Sequence, residues 1–383
     1  AVTDGGRVLV YNGTAGGPSS SLPDVIDGTQ GAANFGGSLA AAGDVDGDGY
    51  GDLLVGASLH DEGQTSEGKA FLYRGSSLGI ATSPAWSVEG NQASAFLGIS
   101  LDGAGDVDGD GYADVIVGAE GHDGALSDEG RAVVFLGSAA GLATSPAWAQ
   151  LGGQAGARFG SSVARAGDVD GDGYGDVVVG ARFWDGGLTD EGSLRLFHGS
   201  STGPSLTPAS TIEGNLAGLQ LGELVASAGD VDGDGYADVL AGTRLYDGPE
   251  VNEGRASLYR GYASTLGQTS AWGFEADQAG AEVGASVASA GDVNRDGYDD
   301  VIVGAPKFDN GENDEGRAFV FHGSASGLSA TPNWTAESNL ANGRFGTAVA
   351  GVGDLNGDSY ADVAVGAPGG ALAGAVHVYH GSA

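Results

Sequence analysis

The sequence has no cysteine and no methionine, only 15 basic residues against 51 acidic ones, and only 10 prolines in 383 positions. Each shortage excludes something. Without cysteine there are no disulfides or thiolate metal sites, so stability must come from packing or from oxygen-bound ions. The formal net charge of −36 argues against nucleic acid and anionic membrane surfaces as partners. No apolar run approaches the ~18 residues that cross a bilayer, so no membrane insertion is expected. No window has the 3.6-residue periodicity of a long amphipathic helix. A methionine-free chain beginning Ala-Val-Thr reads as a mature or trimmed product.

What is plentiful is glycine, 75 residues, interleaved with aspartate. One stretch organises the chain: Asp44-Val45-Asp46-Gly47-Asp48-Gly49-Tyr50-Gly51-Asp52. Its first aspartate returns at Asp106, Asp168, Asp230, Asp292 and Asp354, a constant step of 62 residues from 44 to 106 and onward. Carboxylates at alternate positions of a tight loop converge on one centre, and that much like charge calls for a hard cation with oxygen ligands. The pattern predicts one Ca2+ per repeat, up to six. The expected ligands are the side chains at loop positions one, three, five and nine with the carbonyl at seven. They are Asp44, Asp46, Asp48, Tyr50 and Asp52; Asp106, Asp108, Asp110, Tyr112 and Asp114; Asp168, Asp170, Asp172, Tyr174 and Asp176. The later three loops contribute Asp230, Asp232, Asp234, Tyr236 and Asp238; Asp292, Asn294, Asp296, Tyr298 and Asp300; Asp354, Asn356, Asp358, Tyr360 and Asp362.

An EF-hand would need a glutamate at the twelfth loop position and flanking helices. That position holds Val55, Val117, Val179, Ala241, Val303 or Val365, inside short β-branched runs such as Val115-Ile116-Val117 that read as buried strands. Each repeat therefore reads as four strands, a to d. In the first, strand a is Phe35 to Gly43, the acidic loop is the a–b turn, strand b is Leu53 to Ala57, strand c ends at Gly75 and strand d surrounds Trp86. A single four-stranded sheet cannot bury both faces, whereas a ring of them can. The fold expected is an all-β propeller of four-stranded antiparallel blades, six by count with seven as the alternative, forming one domain over residues 1–383. The last repeat ends after strand c, and the chain begins with a spare strand d at Pro23 to Gly28. Closure would pair them in one blade.

The chain resembles the FG-GAP repeats of the integrin α-subunit propeller. Phe35-Gly36 and Phe345-Gly346 match the first half of that motif, Val303-Gly304-Ala305-Pro306 and Val365-Gly366-Ala367-Pro368 the second, and the acidic loop lies between them. Phe is replaced by Leu97, Leu221 or Val283, and Pro by Ser58, Glu120, Arg182 or Arg244. Integrin propellers have seven blades with calcium in only some, whereas this chain counts six repeats with a loop in each. The resemblance implies an extracellular, calcium-stabilised binding or adhesion module, secreted or on the cell surface. It would be a monomer or part of a larger surface protein, with a protein or glycan ligand on its top face. A lectin with pockets between blades or on that face is the alternative.

Other patterns have plainer readings. His60-Asp61, His122-Asp123, Trp184-Asp185, Tyr246-Asp247 and Phe308-Asp309, each followed by a glutamate at Glu67, Glu129, Glu191, Glu253 or Glu315, read as b–c turns whose carboxylates accept turn N–H groups. Trp86, Trp148, Trp272 and Trp334 read as packing residues. Gly75-Ser76-Ser77-Leu78-Gly79 fits a nucleophile pattern without the helix or histidine it needs, and no enzyme is expected. Among the loops, five and six carry asparagine at position three. Loop six also has Ser359 in place of glycine and loop five Arg295, which ranks six weakest and five next.

Overall fold

The computed structural model describes residues 2–14, 17–19, 23–370 and 374–383. These residues form strands and turns without helix, arranged as a six-bladed β-propeller of antiparallel blades. The first blade runs Phe35–Gly43, Asp52–Ala57, Lys69–Tyr73 and Trp86–Glu89, in sheet order equal to chain order. Blades two to five repeat it with four strands each. The sixth has three, Ala348–Gly353, Asp362–Ala367 and Ala375–Tyr379.

Strand b explains the apolar runs. Val115, Ile116 and Val117 are fully buried because neighbouring blades cover both faces. Val115 and Val117 pack on Leu54, Leu72 and Trp86 of the first blade. Ile116 packs on Phe159, Val177 and Val179 of the third. Where blades meet, the glycine of strand b lies on the glycine that follows Leu97, Phe159, Leu221, Val283 or Phe345 at the start of the next blade. A Cβ on Gly180 would overlap the Gly222 carbonyl oxygen.

A second device sets the acidic loop. Strand a slips register one residue before the loop in every blade, between Ala41 and Gly43 in the first and between Arg165 and Gly167 in the third. The bulge turns the strand end and aims the next residue, the loop's first aspartate, into the turn.

The chain ends depart from expectation. Asp24–Asp27 does not complete the sixth blade; it pairs with Arg7–Val10, Val8 opposite Ile26. That pairing is local, and it buries Val8 and Ile26 against Phe35, Val55 and Tyr73 of the first blade. The inner strand of the sixth blade remains exposed or half-buried at every position.

One half-buried acid lies between inner strands. Asp102 Oδ2 accepts the Arg165 N–H at 3.1 Å and Oδ1 the Gly103 N–H at 2.9 Å. Burial, opposed by Arg165, pushes its pKa from 3.8 up to about 6. A carboxyl that holds its proton more tightly when folded contributes stability that is fully present below about pH 4 and lost as pH rises through about 6. The difference in unfolding free energy between the native protein and Asp102→Ala is expected to fall by about 2 kcal/mol from pH 4 to 7.5, discounted for the residue's partial exposure. Urea titrations at both pH values measure it; a difference independent of pH would count against the assignment.

Candidate metal centre

In each loop the first aspartate organises the backbone. Asp44 Oδ1 accepts the N–H groups of Gly47 at 2.8 Å and Asp48 at 3.1 Å, and Oδ2 accepts that of Gly49 at 2.8 Å. These bonds, that from Gly49 above all, hold its carboxyl below the ordinary range. The fifth-position Asp48 accepts the Tyr50 N–H at 2.9 Å. The ninth-position aspartate joins loop to blade: Asp52 Oδ2 accepts the Val45 N–H at 3.1 Å and Oδ1 the N–H of Gly75, at the end of strand c, at 2.8 Å. The same pair of bonds recurs at Asp114, Asp176, Asp238, Asp300 and Asp362.

Burial raises four of these ninth-position carboxyls, Asp114, Asp176, Asp238 and Asp300, from 3.8 to about 7 against the pull of their N–H donors. Charging such a group in place is costly, and a cation among the oxygens offsets that cost. The oxygens are close enough for one. In each of loops one to four, three aspartates place a carboxylate oxygen within 4.8 Å of one another: Asp44, Asp46 and Asp48; Asp106, Asp108 and Asp114; Asp168, Asp170 and Asp176; Asp230, Asp232 and Asp234. An all-oxygen donor set fits a hard divalent ion such as calcium.

The loops also touch one another in sequence. The first aspartate's carbonyl accepts an N–H from the eighth position of the next loop: Ala113 to Asp44 at 3.0 Å, Gly175 to Asp106 at 2.8 Å, Ala237 to Asp168 at 2.9 Å, Asp299 to Asp230 at 3.2 Å and Ala361 to Asp292 at 3.0 Å.

The blade and its loop also match a known repeat in sequence. The FG-GAP repeat matches residues 35–73, 98–135, 159–197, 222–259, 283–321 and 345–379, one match per blade and more than half of the chain. The chain belongs to the FG-GAP repeat family. It is similar to integrin alpha-V of Gallus gallus, 32% identical over 216 residues, which covers 54% of this chain and 20% of the relative. Integrin alpha-5 of Xenopus laevis is 29% identical over 232 residues, covering 58% and 21%. Integrin alpha-PS2 of Drosophila melanogaster is 36% identical over 169 residues, covering 40% and 12%. The chain thus spans about a fifth or less of the length of these curated relatives.

The motif's parts have physical counterparts in this FG-GAP chain. The aromatic or aliphatic residue of the FG half, Phe35, Leu97, Phe159, Leu221, Val283 or Phe345, is buried in every blade. The b–c turns are structural. Glu67 Oε1 accepts the N–H groups of Glu62 and Gln64 at 2.8 and 3.2 Å and Oε2 that of Asn91 at 3.1 Å, while Asp61 holds the Ser66 N–H. His60 packs edge-on against Phe71, and Arg195 stacks on Trp184 at 4.3 Å. The strand-d tryptophans fill the seams: Trp86 lies 4.9 Å from Phe135 of the next blade and donates to the Ala143 carbonyl. Sequence reasoning missed Gln30, Gln92, Gln154 and Gln278, whose amides donate to the carbonyls of Asp61, Asp123, Asp185 and Asp309, 31 residues onward. Their half-repeat offset was the available signal.

Position three separates the FG-GAP loops. Arg74 Nη1 lies 2.9 Å from Asp46 Oδ2, Arg260 Nη1 2.9 Å from Asp232 Oδ2, and His198 Nδ1 2.7 Å from Asp170 Oδ2. Loop two has Leu136 at the corresponding place. A guanidinium competes with an incoming cation, so Arg74→Leu is expected to tighten loop one about threefold to tenfold at this half-exposed pair, read by calcium titration.

Backbone strain gives reason to expect the opposite order of the two weakest loops, five below six. Ser359 has φ of 75° and Arg295 of 60°, so both sit where glycine is favoured. Space distinguishes them. A Cβ at the Ser359 position meets nothing within 4 Å in the glycine-bearing loops, as at Gly49. At the Arg295 position it meets the next loop's tyrosine, 2.7 Å from Tyr112 at Gly47 and 2.8 Å from Tyr298 at Gly233. Among the described residues, loop five also lacks the position-four N–H bond that Gly357 makes to Asp354 at 2.6 Å in loop six. Arg295→Gly should therefore tighten its loop more than Ser359→Gly tightens the sixth, by about fivefold or more. A larger gain from Ser359→Gly in parallel titrations would restore the opposite order, six below five.

Proposed function

We propose that residues 1–383 act as one extracellular FG-GAP domain, a calcium-stabilised module that binds a protein ligand and does no chemistry. The single observation that carries this is the coincidence of an FG-GAP match and an acidic a–b loop in all six blades. The ions would be held by positions one, three, five and nine of each loop, Asp44, Asp46, Asp48 and Asp52 in the first, with the Tyr50 carbonyl. Loops two to six would use the corresponding residues, with Asn294 and Asn356 supplying neutral oxygens in the last two. Calcium there would crosslink the a–b turn to strand c through the ninth aspartate. Loops of this kind fill at extracellular rather than cytosolic calcium, which favours a secreted or surface location. The integrin names of the relatives support adhesion as the setting. A lectin is less well supported, because Trp86, Trp148 and Trp272 each pack against a ring of the next blade rather than standing free as stacking platforms. The test is retention of the calcium-loaded chain on paired arrays of extracellular-matrix proteins and of glycans. Binding to protein that chelator abolishes is expected; binding confined to glycans would overturn the reading.

A further inference from the structure

At one place the chain departs from its repeat where the fold does not require it. Arg244 and Lys307 follow the ends of their strands b, and Arg344 precedes strand a of the sixth blade. In the first blade the corresponding residues are Ser58, Leu59 and Asn34. Blades one and two form with no cation at any of these three positions, whereas blades three to six place five of the chain's 15 basic residues there. Building a blade does not call for them.

Arg244, Lys307 and Arg344 meet at a recess of about 290 Å³, lined also by Glu282, Pro306 and Thr347. Two of the three cations have acid partners: Lys307 Nζ donates to Glu282 Oε1 at 2.7 Å and Arg244 Nε to Glu223 Oε1 at 2.8 Å. Both keep spare donors, since an ammonium carries three N–H groups and a guanidinium five. Arg344 is exposed and, among the described residues, forms no ion pair. Its backbone is nonetheless fixed. The Arg344 N–H donates to the Asp314 carbonyl at 3.0 Å, and its carbonyl accepts the Thr347 hydroxyl at 2.7 Å. In a chain of net charge −36, an anchored guanidinium without an acid partner points to an acid from outside. Glu282 already shows that a carboxylate suits the recess.

We propose, building on the protein-binding reading, that this recess takes the carboxylate of one aspartate or glutamate side chain on an exposed loop of the ligand, with Arg344 and Lys307 as its donors. Its volume falls just short of the roughly 300–1,000 Å³ of sites that enclose a whole small molecule, so a side chain suits it. The acidic loops do not cancel the attraction. Arg244 stands six residues beyond Asp238 on the far side of strand b. That is about 20 Å along an extended strand, and physiological salt screens charge over roughly 8 Å. A polyanion would extend past the recess onto the acidic surface and be repelled, whereas a single carboxylate on a neutral or basic loop would not.

The test selects disulfide-closed heptapeptide loops from a randomised phage-displayed library on the full chain in excess calcium. Loops bearing one aspartate or glutamate are expected to be enriched. The synthetic loop should bind about tenfold or more tighter than its Asn or Gln analogue by calorimetry. Arg344→Ala should weaken that binding about tenfold and Arg344→Glu abolish it, both at the native Tm, while Arg344→Lys keeps most of it. Enrichment of loops without an acid, no enrichment at all, or an affinity that Arg344→Glu leaves unchanged would overturn the proposal. Tighter binding of free sialic acid than of the acidic loop would also overturn it, assigning the recess to a glycan. A matrix protein retained equally by the native chain and by Arg344→Glu would reject this recess while leaving the protein-binding reading in place.

Discussion

Chelation of divalent cations is expected to lower the melting temperature by on the order of 20 °C. A site with Kd near 10 μM in about 1 mM calcium stabilises the folded state by roughly 2.7 kcal/mol. A chain of this length unfolds with an entropy of about 0.8 kcal/mol/K, so each such site is worth about 3 °C and six add to the larger figure. The buried ninth-position aspartates steepen the loss, because removing the ion leaves carboxylates such as Asp114 and Asp176 with only N–H donors to answer their charge. Calorimetric scans in calcium and in excess chelator measure it. An unchanged Tm would refute the calcium reading while leaving the propeller intact.

The second large effect comes from one methyl group. Gly180→Ala is expected to cost about 3 kcal/mol or more, since overpacking against groups that cannot rotate away lies at the severe end of small-to-large substitutions. The new Cβ would overlap the Gly222 carbonyl oxygen and lie 2.7 Å from its carbon and 2.8 Å from the Gly222 Cα. All three atoms are backbone, so relief requires blades three and four to separate. Gly187→Ala, where nothing lies within 4 Å, serves as the control and should be neutral. Urea midpoints compare them; equal midpoints would show that the blades yield at this contact.

Most of the blade architecture was legible because two periods coincide in the sequence. The step of 62 residues marks the repeats, and within each the change from Gly-Asp alternation to a β-branched run marks the passage from loop to strand b. Strand a of the first blade is Phe35–Gly43 in both readings. The chain ends were less legible, since a single strand such as Asp24–Asp27 has the same edge chemistry for either strand c. Its choice depended on the nearness of Arg7–Val10 and the packing of Val8 and Ile26 on Phe35. At the candidate site the aspartates were readable, but their competitors were not. Arg74 and Arg260 lie 28 residues after the position-three aspartates they meet, on the far side of two strands, and no local pattern announces the contact. The strain at Arg295 was hidden for another reason: its glycine counterpart packs against a tyrosine of the neighbouring repeat, which a reading one repeat at a time does not see.

The hydrogen bonds from each loop's eighth residue to the carbonyl of the preceding loop's first aspartate make the rim a nearest-neighbour array. Order gained at one loop is passed to those beside it, and a disordered loop withdraws support from the loop before it. In such an array the position of a weak member matters as much as its weakness. A defect in the middle would divide the rim into two short runs, each with frayed ends. Here the asparagine-bearing loops five and six are neighbours, so a weakness in both would leave loops one to four joined as one uninterrupted run.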